Sequence, residues 1–168
     1  NRDRAGHDMN YQARTGILAL AEGADGTPGI SPALVGDIAG GTYPAVINLL
    51  LALRRRDRTG EGCFIDIAMA ENLFTFHFMG LAMGHAGGAW PRAGGEQLTG
   101  GSPRYRIYRT ADGRHLAVAP LEDKFWEAFC EIAGVPAALR DDSRDAKATI
   151  AAVAERVAAH DAAWWEAA

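Results

Sequence analysis

The sequence is poor in cysteine: its 168 residues include only Cys63 and Cys130. Two cysteines far apart in sequence do not make the disulfide framework of a small secreted domain, so we expect free thiols and a reducing, cytoplasmic compartment. Both residues lie in apolar runs, and free cysteine is among the most buried residue types. We therefore predict that both thiols are buried.

Long apolar runs and an excess of positive charge are also lacking. The longest apolar run, 43–53, is interrupted by Pro44 and Asn48. It is shorter than the roughly 20 residues that cross a bilayer, so we expect no membrane contact. The 17 basic and 21 acidic residues give a net charge of −4, which argues against a nucleic-acid-binding protein.

Several chemical motifs are missing as well. The sequence has no Gly-x-x-x-x-Gly-Lys-[Ser/Thr] loop and no Gly-x-Ser-x-Gly elbow, which argues against a P-loop nucleotide mechanism and an α/β-hydrolase nucleophile. His77 and His85 lack carboxylate or thiol partners at metal spacing, so we expect no metal site. What the sequence does have is 48% apolar residues, which is enough for a packed core.

Two regions joined by a glycine-rich linker are expected. The first region covers 1–85, the linker 86–103 and the second region 104–168. The chain begins with Asn1 rather than Met, close to a candidate motif, and it ends inside a predicted helix. We therefore expect further sequence on both sides.

Helical spacing, capping residues and turn signals predict the individual elements. In the first region we predict a helix at 9–20 capped by Asp8, a loop at 22–32, a helix from near Asp37 to Gly60, a strand at 63–67 and a helix at 68–83. In the second region the Asp112-Gly113 turn predicts a hairpin of 104–110 and 114–119. Helices are then predicted at 122–133, with Phe125, Trp126 and Phe129 on one side, at 146–160 and from 161 onward.

Two of the helix starts carry residues suited to acid–base chemistry. His7, in Gly6-His7-Asp8, can act as a general base near neutral pH, although a solvated histidine beside a capping Asp8 explains the same pattern. Asp37 opens a helix that continues with Gly40-Gly41. Such a start offers N–H groups to an oxyanion and lets a ligand approach closely, or else it is an ordinary N-cap with glycines for packing.

Two further features are weaker. Glu122 lies where the hairpin becomes a helix, and the helix dipole alone would favour a carboxylate there. The basic run 54–58 could meet the phosphates of a nucleotide, but a solvated helix end explains it better. Spacing alone therefore leaves catalytic and structural roles open.

Seven short motifs occur in an order that resembles a known family. The matching segments cover nearly the whole chain: Gly6-His7-Asp8-Met9-Asn10-Tyr11, Leu34-Val35-Gly36-Asp37, Arg58-Thr59-Gly60-Glu61-Gly62, Ile65-Asp66, Gly100-Gly101-Ser102-Pro103-x-Tyr105, Tyr108-Arg109-Thr110-Ala111-Asp112-Gly113 and Leu121-Glu122-Asp123-Lys124-Phe125. They resemble the α-methylacyl-CoA racemases, which lie within the family III CoA-transferase (CaiB/BaiF) group.

The resemblance implies an α/β fold with two domains. Residues 1–85 would be the central part of a large Rossmann-like domain, and 104–168 would belong to a smaller α/β domain. The subunits would form an interlocked homodimer whose active site lies between the large domain of one subunit and the small domain of the other. Much of the surface that binds coenzyme A would precede Asn1.

The resemblance also implies roles for individual residues. The two acid–base residues of the racemases correspond to His7 and Asp37, with Asp8 and Glu122 supporting them. Contacts with the substrate and coenzyme A would come from Gly36, Gly40, Tyr105 and Leu121.

The implied reaction inverts the α-carbon of 2-methylacyl-CoA thioesters by two-base proton transfer through an enolate. Coenzyme A would enter only as part of the substrate, with no tightly bound cofactor. The alternative is a family III CoA transferase that moves CoA between carboxylic acids through an aspartyl-CoA intermediate at Asp37. The transferases commonly have Tyr before the first Asp of this motif, so His7 favours the racemase. A non-catalytic assembly module on the same fold is a third possibility.

Two positions depart from the racemase pattern. Ala33 and Asp123 stand where the racemases often have Asn and Pro, and we expect the change at Asp123 to be structural. An aromatic stripe, Phe74, Phe76 and Phe78, is predicted to lie in the core rather than in an acyl groove.

Overall fold

The computed structural model describes residues 5–21 and 27–168. The chain forms two compact units, Asn1–Ala93 and Gly94–Ala168. The boundary between them falls inside the predicted linker 86–103. Residues 22–26 of the predicted loop 22–32 lie outside the described residues.

The first unit is built of helices, and residues 5–21 and 27–93 contribute no strand to a sheet. In chain order the elements are α1 (Asp8–Thr15), α2 (Ile17–Leu20), a π-helix (Gly36–Thr42), α3 (Tyr43–Thr59), α4 (Met69–Leu73), a 3₁₀ turn (Phe74–His77) and α5 (Phe78–Gly87).

The helix predicted at 9–20 is divided into α1 and α2 at Gly16. This glycine has φ 85°, in the left-handed region that favours glycine, and its N–H donates to the carbonyl of Ala13. The N-cap of α1 is His7, and Asp8 is the first helical residue. The prediction that Asp8 caps this helix was wrong because its carboxylate turns toward the π-helix instead.

The π-helix continues directly into α3, so Gly36–Thr59 forms one helical stretch. Gly60 ends it with φ 77°, and the Gly60 N–H donates to the carbonyl of Arg56 at 2.7 Å. Arg56 and Arg58 in the last turn complement the helix dipole. The helix predicted from Asp37 to Gly60 is confirmed, whereas the wider i→i+5 turns of its first part were not predicted.

Apolar side chains of α3 are exposed in this chain. Val46, Ile47, Leu49, Leu50 and Leu51 are 49% to 61% exposed. By length and composition alone the 24-residue stretch Gly36–Thr59 could cross a membrane: an 18-residue window within it has a mean hydropathy of 1.2, and 11% of that window is buried. It is longer than the apolar run 43–53 because it also includes the π-helix before that run and the charged end of α3 after it. Core helices of soluble proteins share this composition, so the stretch is weak evidence for a membrane span.

The strand predicted at 63–67 does not form, and residues 61–68 are neither helix nor strand. A strand requires hydrogen bonds to a neighbouring strand, and the described part of the first unit supplies none. Cys63, whose predicted burial depended on this segment, is exposed.

The helix predicted at 68–83 is interrupted by the 3₁₀ turn and extends to Gly87. Phe74, Phe76 and Phe78 are 50%, 53% and 68% exposed, so their placement in the core was wrong. Residues spaced by two do not share a helix face, and the turn changes the helical period within the stripe. The buried side chain of this segment is Leu73.

The second unit begins with a π-helical turn (Gln97–Gly101) and a hairpin of β1 (Arg106–Arg109) and β2 (His115–Val118). The strands pair antiparallel, with Tyr108 opposite Leu116. Gly113 in the turn has φ 79°. The hairpin predicted from the Asp112-Gly113 turn is confirmed.

Helices pack against this hairpin. They are α6 (Asp123–Ala133), a 3₁₀ turn (Ala137–Leu139), α7 (Ala146–Val157) and α8 (Ala162–Ala167). Gly134 ends α6 with φ 67°. The three helices predicted for this region are confirmed.

The core of the second unit joins the hairpin to these helices. Its buried members are Tyr108, Val118, Trp126, Cys130, Val135, Val153, Val157 and Trp165. Phe129 packs against this core beside Trp126, but Phe125 is 52% exposed, so the prediction that all three lie on one side of α6 was wrong for Phe125. The predicted burial of Cys130 is confirmed.

Candidate functional site

A single buried carboxylate connects the histidine motif with the aspartate motif. Asp8 is 7% exposed, and its Oδ1 accepts a hydrogen bond from the backbone N–H of Asp37 at 2.9 Å. Its Oδ2 accepts a second bond from Nε2 of Gln12 at 2.5 Å. Because Asp8 follows His7 directly in the chain, its contact with Asp37 links the backbones of the two acid–base candidates.

Gly36 makes room for this contact. A Cβ at position 36 would lie 2.8 Å from Oδ1 of Asp8 and 3.2 Å from its carbonyl oxygen. Any larger residue would therefore push the carboxylate away from the N–H of Asp37. The side of Gly36 on which another residue would carry its Cβ faces Asp8. The contact of Gly36 with substrate or CoA remains a prediction.

Gly40 is also buried and faces protein. A Cβ there would lie 2.7 Å from the carbonyl oxygen of Met69 and 3.1 Å from Cγ of Leu73. The carbonyl of Gly40 accepts a hydrogen bond from Nδ2 of Asn72 at 2.7 Å. The glycine thus allows α4 to pack closely on the π-helix, and the two elements hold each other in place.

The π-helix has an internal polar contact as well. Oγ1 of Thr42 donates to the carbonyl of Asp37 at 3.0 Å. π-helical turns are rare and frequently lie at functional sites. Here such a turn carries Asp37, whose side chain is only partly buried and therefore remains within reach of a ligand.

The N–H of Asp37 is not free to bind an oxyanion. It already donates to Asp8, and the N–H of Ile38 donates to the carbonyl of Leu34 at 2.8 Å. The expectation that the helix start at Asp37 supplies N–H groups to an oxyanion is therefore wrong for these two groups.

His7 is exposed and held by its backbone. Its N–H donates to Oδ1 of Asn10 at 2.9 Å, and its carbonyl accepts the N–H of Asn10 at 2.8 Å. This cap fixes where the chain enters α1. Because His7 is exposed, a ligand can reach it.

The remaining candidates, Tyr105, Leu121 and Glu122, all belong to the second unit. Arg104 connects the two short segments that carry these residues. Its Nη1 donates to the carbonyl of Leu121 at 3.3 Å. Glu122 is the N-cap of α6 and is exposed, and Tyr105 is 38% exposed. Arg104 thus ties the chain next to Tyr105 to the backbone just before Glu122.

Arg104 is bonded to two carboxylates. Its Nη2 lies 2.9 Å from Oδ1 of Asp142, and its Nη1 lies 2.6 Å from Oδ1 of Asp123. Its guanidinium also lies 5.2 Å from the ring centroid of Trp126. Burial alone would lower the pKa of Arg104, but the bonds to Asp123 and Asp142 raise it. Asp123, which departs from the racemase pattern, therefore helps fix the start of α6.

Two residues of these networks were missed by the sequence analysis. Gln12 and Arg104 are polar, and neither belongs to a motif by spacing alone. A signal was present for Gln12, since it lies one helical turn after Asp8. Arg104 gave no signal, because its partners lie 17 to 38 residues further along the chain.

Comparison with known proteins decides the family. The model described as CoA-transferase family III matches residues 1–168. The chain belongs to CoA-transferase family III. Two crystal structures share its fold. A CaiB/BaiF family protein from Brucella suis matches with a TM-score of 0.75 and 23% identity, covering 98% of this chain and 45% of that chain. A hypothetical protein from Mycobacterium tuberculosis matches with a TM-score of 0.76 and 22% identity, covering 98% of this chain and 45% of that chain.

Curated relatives of this family III chain include both reaction types. The human α-methylacyl-CoA racemase is 36% identical over 136 residues, covering 78% of this chain and 34% of the relative. The succinyl-CoA:mesaconate CoA-transferase of Haloarcula marismortui is 32% identical over 127 residues, covering 74% and 31%. The chain thus spans about a third of the length of these relatives.

Proposed function

We propose that the protein containing this chain is an acyl-CoA enzyme that inverts the α-carbon of 2-methylacyl-CoA thioesters. The observation that carries the proposal is the hydrogen bond from the Asp37 N–H to Asp8, because it joins the His7 motif to the Asp37 motif. The 36% identity to the human and mouse α-methylacyl-CoA racemases supports the same reaction.

Inversion at a carbon next to a thioester needs a proton removed from one face and a proton returned to the other. In one direction neutral His7 takes the α-proton, and the electrons of the broken C–H bond move into the thioester enolate. The Asp37 carboxyl, in its acid form, then donates its proton to the opposite face. This leaves His7 protonated and Asp37 ionised, which is the state required for the reverse reaction.

The enolate oxygen needs hydrogen-bond donors during this step. The Asp37 N–H already donates to Asp8. In this scheme other hydrogen-bond donors therefore stabilise the enolate oxygen. Asp8 itself remains bonded to the backbone and keeps the π-helix in place. Its role in this scheme is to support the two acid–base groups.

The site is completed by a second subunit in this proposal. The first unit would form part of a Rossmann-like large domain, and Glu122, Tyr105 and Leu121 of the partner subunit would face His7 in an interlocked homodimer. The exposed apolar side chains of α3 support burial by further polypeptide, because large exposed apolar patches mark interaction surfaces. Coenzyme A would enter as part of the substrate, and the enzyme would be cytoplasmic.

The test is deuterium exchange at the α-carbon of a 2-methylacyl-CoA in the intact protein. His7→Ala and Asp37→Asn should each abolish inversion, and each should abolish exchange only for the epimer whose α-proton faces the missing group, because each group serves one face of the substrate. His115→Ala, a histidine exposed on β2, is the matched control and should exchange at the wild-type rate. Wild-type exchange in the His7 and Asp37 variants would refute the proposal.

Transfer of CoA between carboxylic acids is the second candidate, favoured by the 32% identity to the Haloarcula transferase. Asp37 would attack the thioester carbonyl and release CoA thiolate, leaving an acyl-aspartyl anhydride. The thiolate would then attack the aspartyl carbonyl and release the carboxylate product, leaving an aspartyl-CoA thioester. Hydroxylamine would trap that thioester at Asp37 during turnover, and its detection would replace the racemase assignment.

A further inference from the structure

Gln12 belongs to none of the motifs that point to acyl-CoA chemistry, yet its side chain holds the carboxylate at the centre of the site. Gln12 is 3% exposed and lies one turn after Asp8 on α1. Its Nε2 donates to Oδ2 of Asp8 at 2.5 Å. The other oxygen of the same carboxylate accepts the N–H of Asp37.

This arrangement fixes the rotation of the carboxylate. A carboxylate held through one oxygen can turn about its Cβ–Cγ bond, whereas one held through both oxygens has a single orientation. A buried polar group is costly when it lacks a partner, so losing the Gln12 amide would leave Oδ2 of Asp8 desolvated and unbonded. The carboxylate would then reorient, and the hydrogen bond to Asp37 would weaken.

We propose that Gln12 is a positioning residue that acts through Asp8 to set the place of Asp37 relative to His7. The proposal rests on the proposed function only in assigning acid–base roles to His7 and Asp37. The chain of contacts runs from the Gln12 amide to the Asp8 carboxylate and from there to the backbone of the π-helix. Displacements of about 1 Å at an acid–base group can lower a rate by about a hundred-fold.

Gln12→Glu tests this with a change of charge but almost none of size. At low pH one of the two carboxyl groups, the introduced one or Asp8, carries a proton and donates a hydrogen bond to the other, so the contact is kept. At higher pH both carboxylates ionise at close range and repel each other. The ionisable groups on the same helix or on the elements packed against it include His7, Tyr11 and Arg14 of the α1 segment, Asp37, His77, whose ring faces Gly16 at the end of α1, and exposed Glu71 on α4.

We therefore expect the kcat of Gln12→Glu for α-proton exchange to fall with rising pH by about ten- to a hundred-fold, with KM close to the wild-type value. Far-ultraviolet circular dichroism at the same pH values establishes that the variant is folded. The matched control is Gln97→Glu, the same chemical change at an exposed position of the second unit. It should follow the wild-type pH profile.

A second measurement needs no activity. Hydrogen exchange of the Asp37 amide, followed by NMR, should be slow in the wild type and at least about ten-fold faster in Gln12→Leu, which removes the donor at similar size. If the Asp37 amide is equally protected in both proteins, or if Gln12→Glu keeps the wild-type pH profile, Gln12 is not a positioning residue. The Asp37 amide could lose its protection in Gln12→Leu while α-proton exchange does not depend on His7. That result would refute the proposed reaction but support the contacts from Gln12 through Asp8 to Asp37.

Discussion

Gly40 provides a test of whether the glycines of the π-helix serve packing or ligand contact. In Gly40→Ala the new Cβ would meet the backbone oxygen of Met69 at 2.7 Å and Cγ of Leu73 at 3.1 Å. A backbone oxygen cannot rotate away, so the cost should be near the upper end for overpacking, about 3 kcal/mol. Alanine regains about 1 kcal/mol of helix propensity, which leaves a net loss of about 2 kcal/mol in the free energy of unfolding.

Urea unfolding followed by circular dichroism measures this loss, which corresponds to roughly a 10 °C lower melting temperature for a unit of this size. The control is Gly87→Ala at the end of α5, where, apart from the adjoining residues and the backbone of α5, no described atom lies within 4 Å of the added Cβ. It should be neutral or stabilising by up to about 1 kcal/mol. If Gly40→Ala is as stable as Gly87→Ala but raises the KM for an acyl-CoA, the glycine faces substrate and the packing argument fails.

Three further predictions concern the second unit and the two thiols. Arg104→Met should lower the free energy of unfolding by about 2 kcal/mol in urea titration, because it leaves the largely buried Asp142 carboxylate without its cation; an unchanged midpoint would contradict this. Burial raises the pKa of Tyr108 to about 12, so the unfolded chain ionises first and stability should fall between about pH 10 and about pH 12. Phenolate absorbance together with pH-dependent unfolding tests this; a titration of Tyr108 near pH 10 would refute it. Burial raises the pKa of Cys130 to about 11, so at about pH 8 a thiol-specific reagent should label exposed Cys63 rapidly and Cys130 only after unfolding; equal rates would contradict the burial of Cys130.

The elements predicted correctly are those whose cause is local. Gly60 and Gly134 end helices because glycine accepts the left-handed conformation there. The Asp112-Gly113 turn specifies the hairpin within a few residues. In each case the residues that determine the structure adjoin the element that they determine.

The elements predicted wrongly depend on contacts between distant segments. The strand at 63–67 required a neighbouring strand, and Asp8 could not be assigned to Asp37 from its sequence neighbours because 29 residues separate them. Family resemblance predicted acid–base roles for His7 and Asp37 and a supporting role for Asp8. It gave no information on the contacts of Asp8, which became evident only from the two hydrogen bonds of its carboxylate.

The π-helix contains one residue that the direction of Asp37 does not require. Its i→i+5 turns contain one residue more than the α-helical turns that follow in α3. Because both kinds of turn complete about one rotation, deleting one residue between Asp37 and Thr42 would convert a π turn into an α turn and leave the carboxyl group at nearly the same angle about the axis of α3. A second deletion would have no additional residue to absorb it and would turn Asp37 by about 100°.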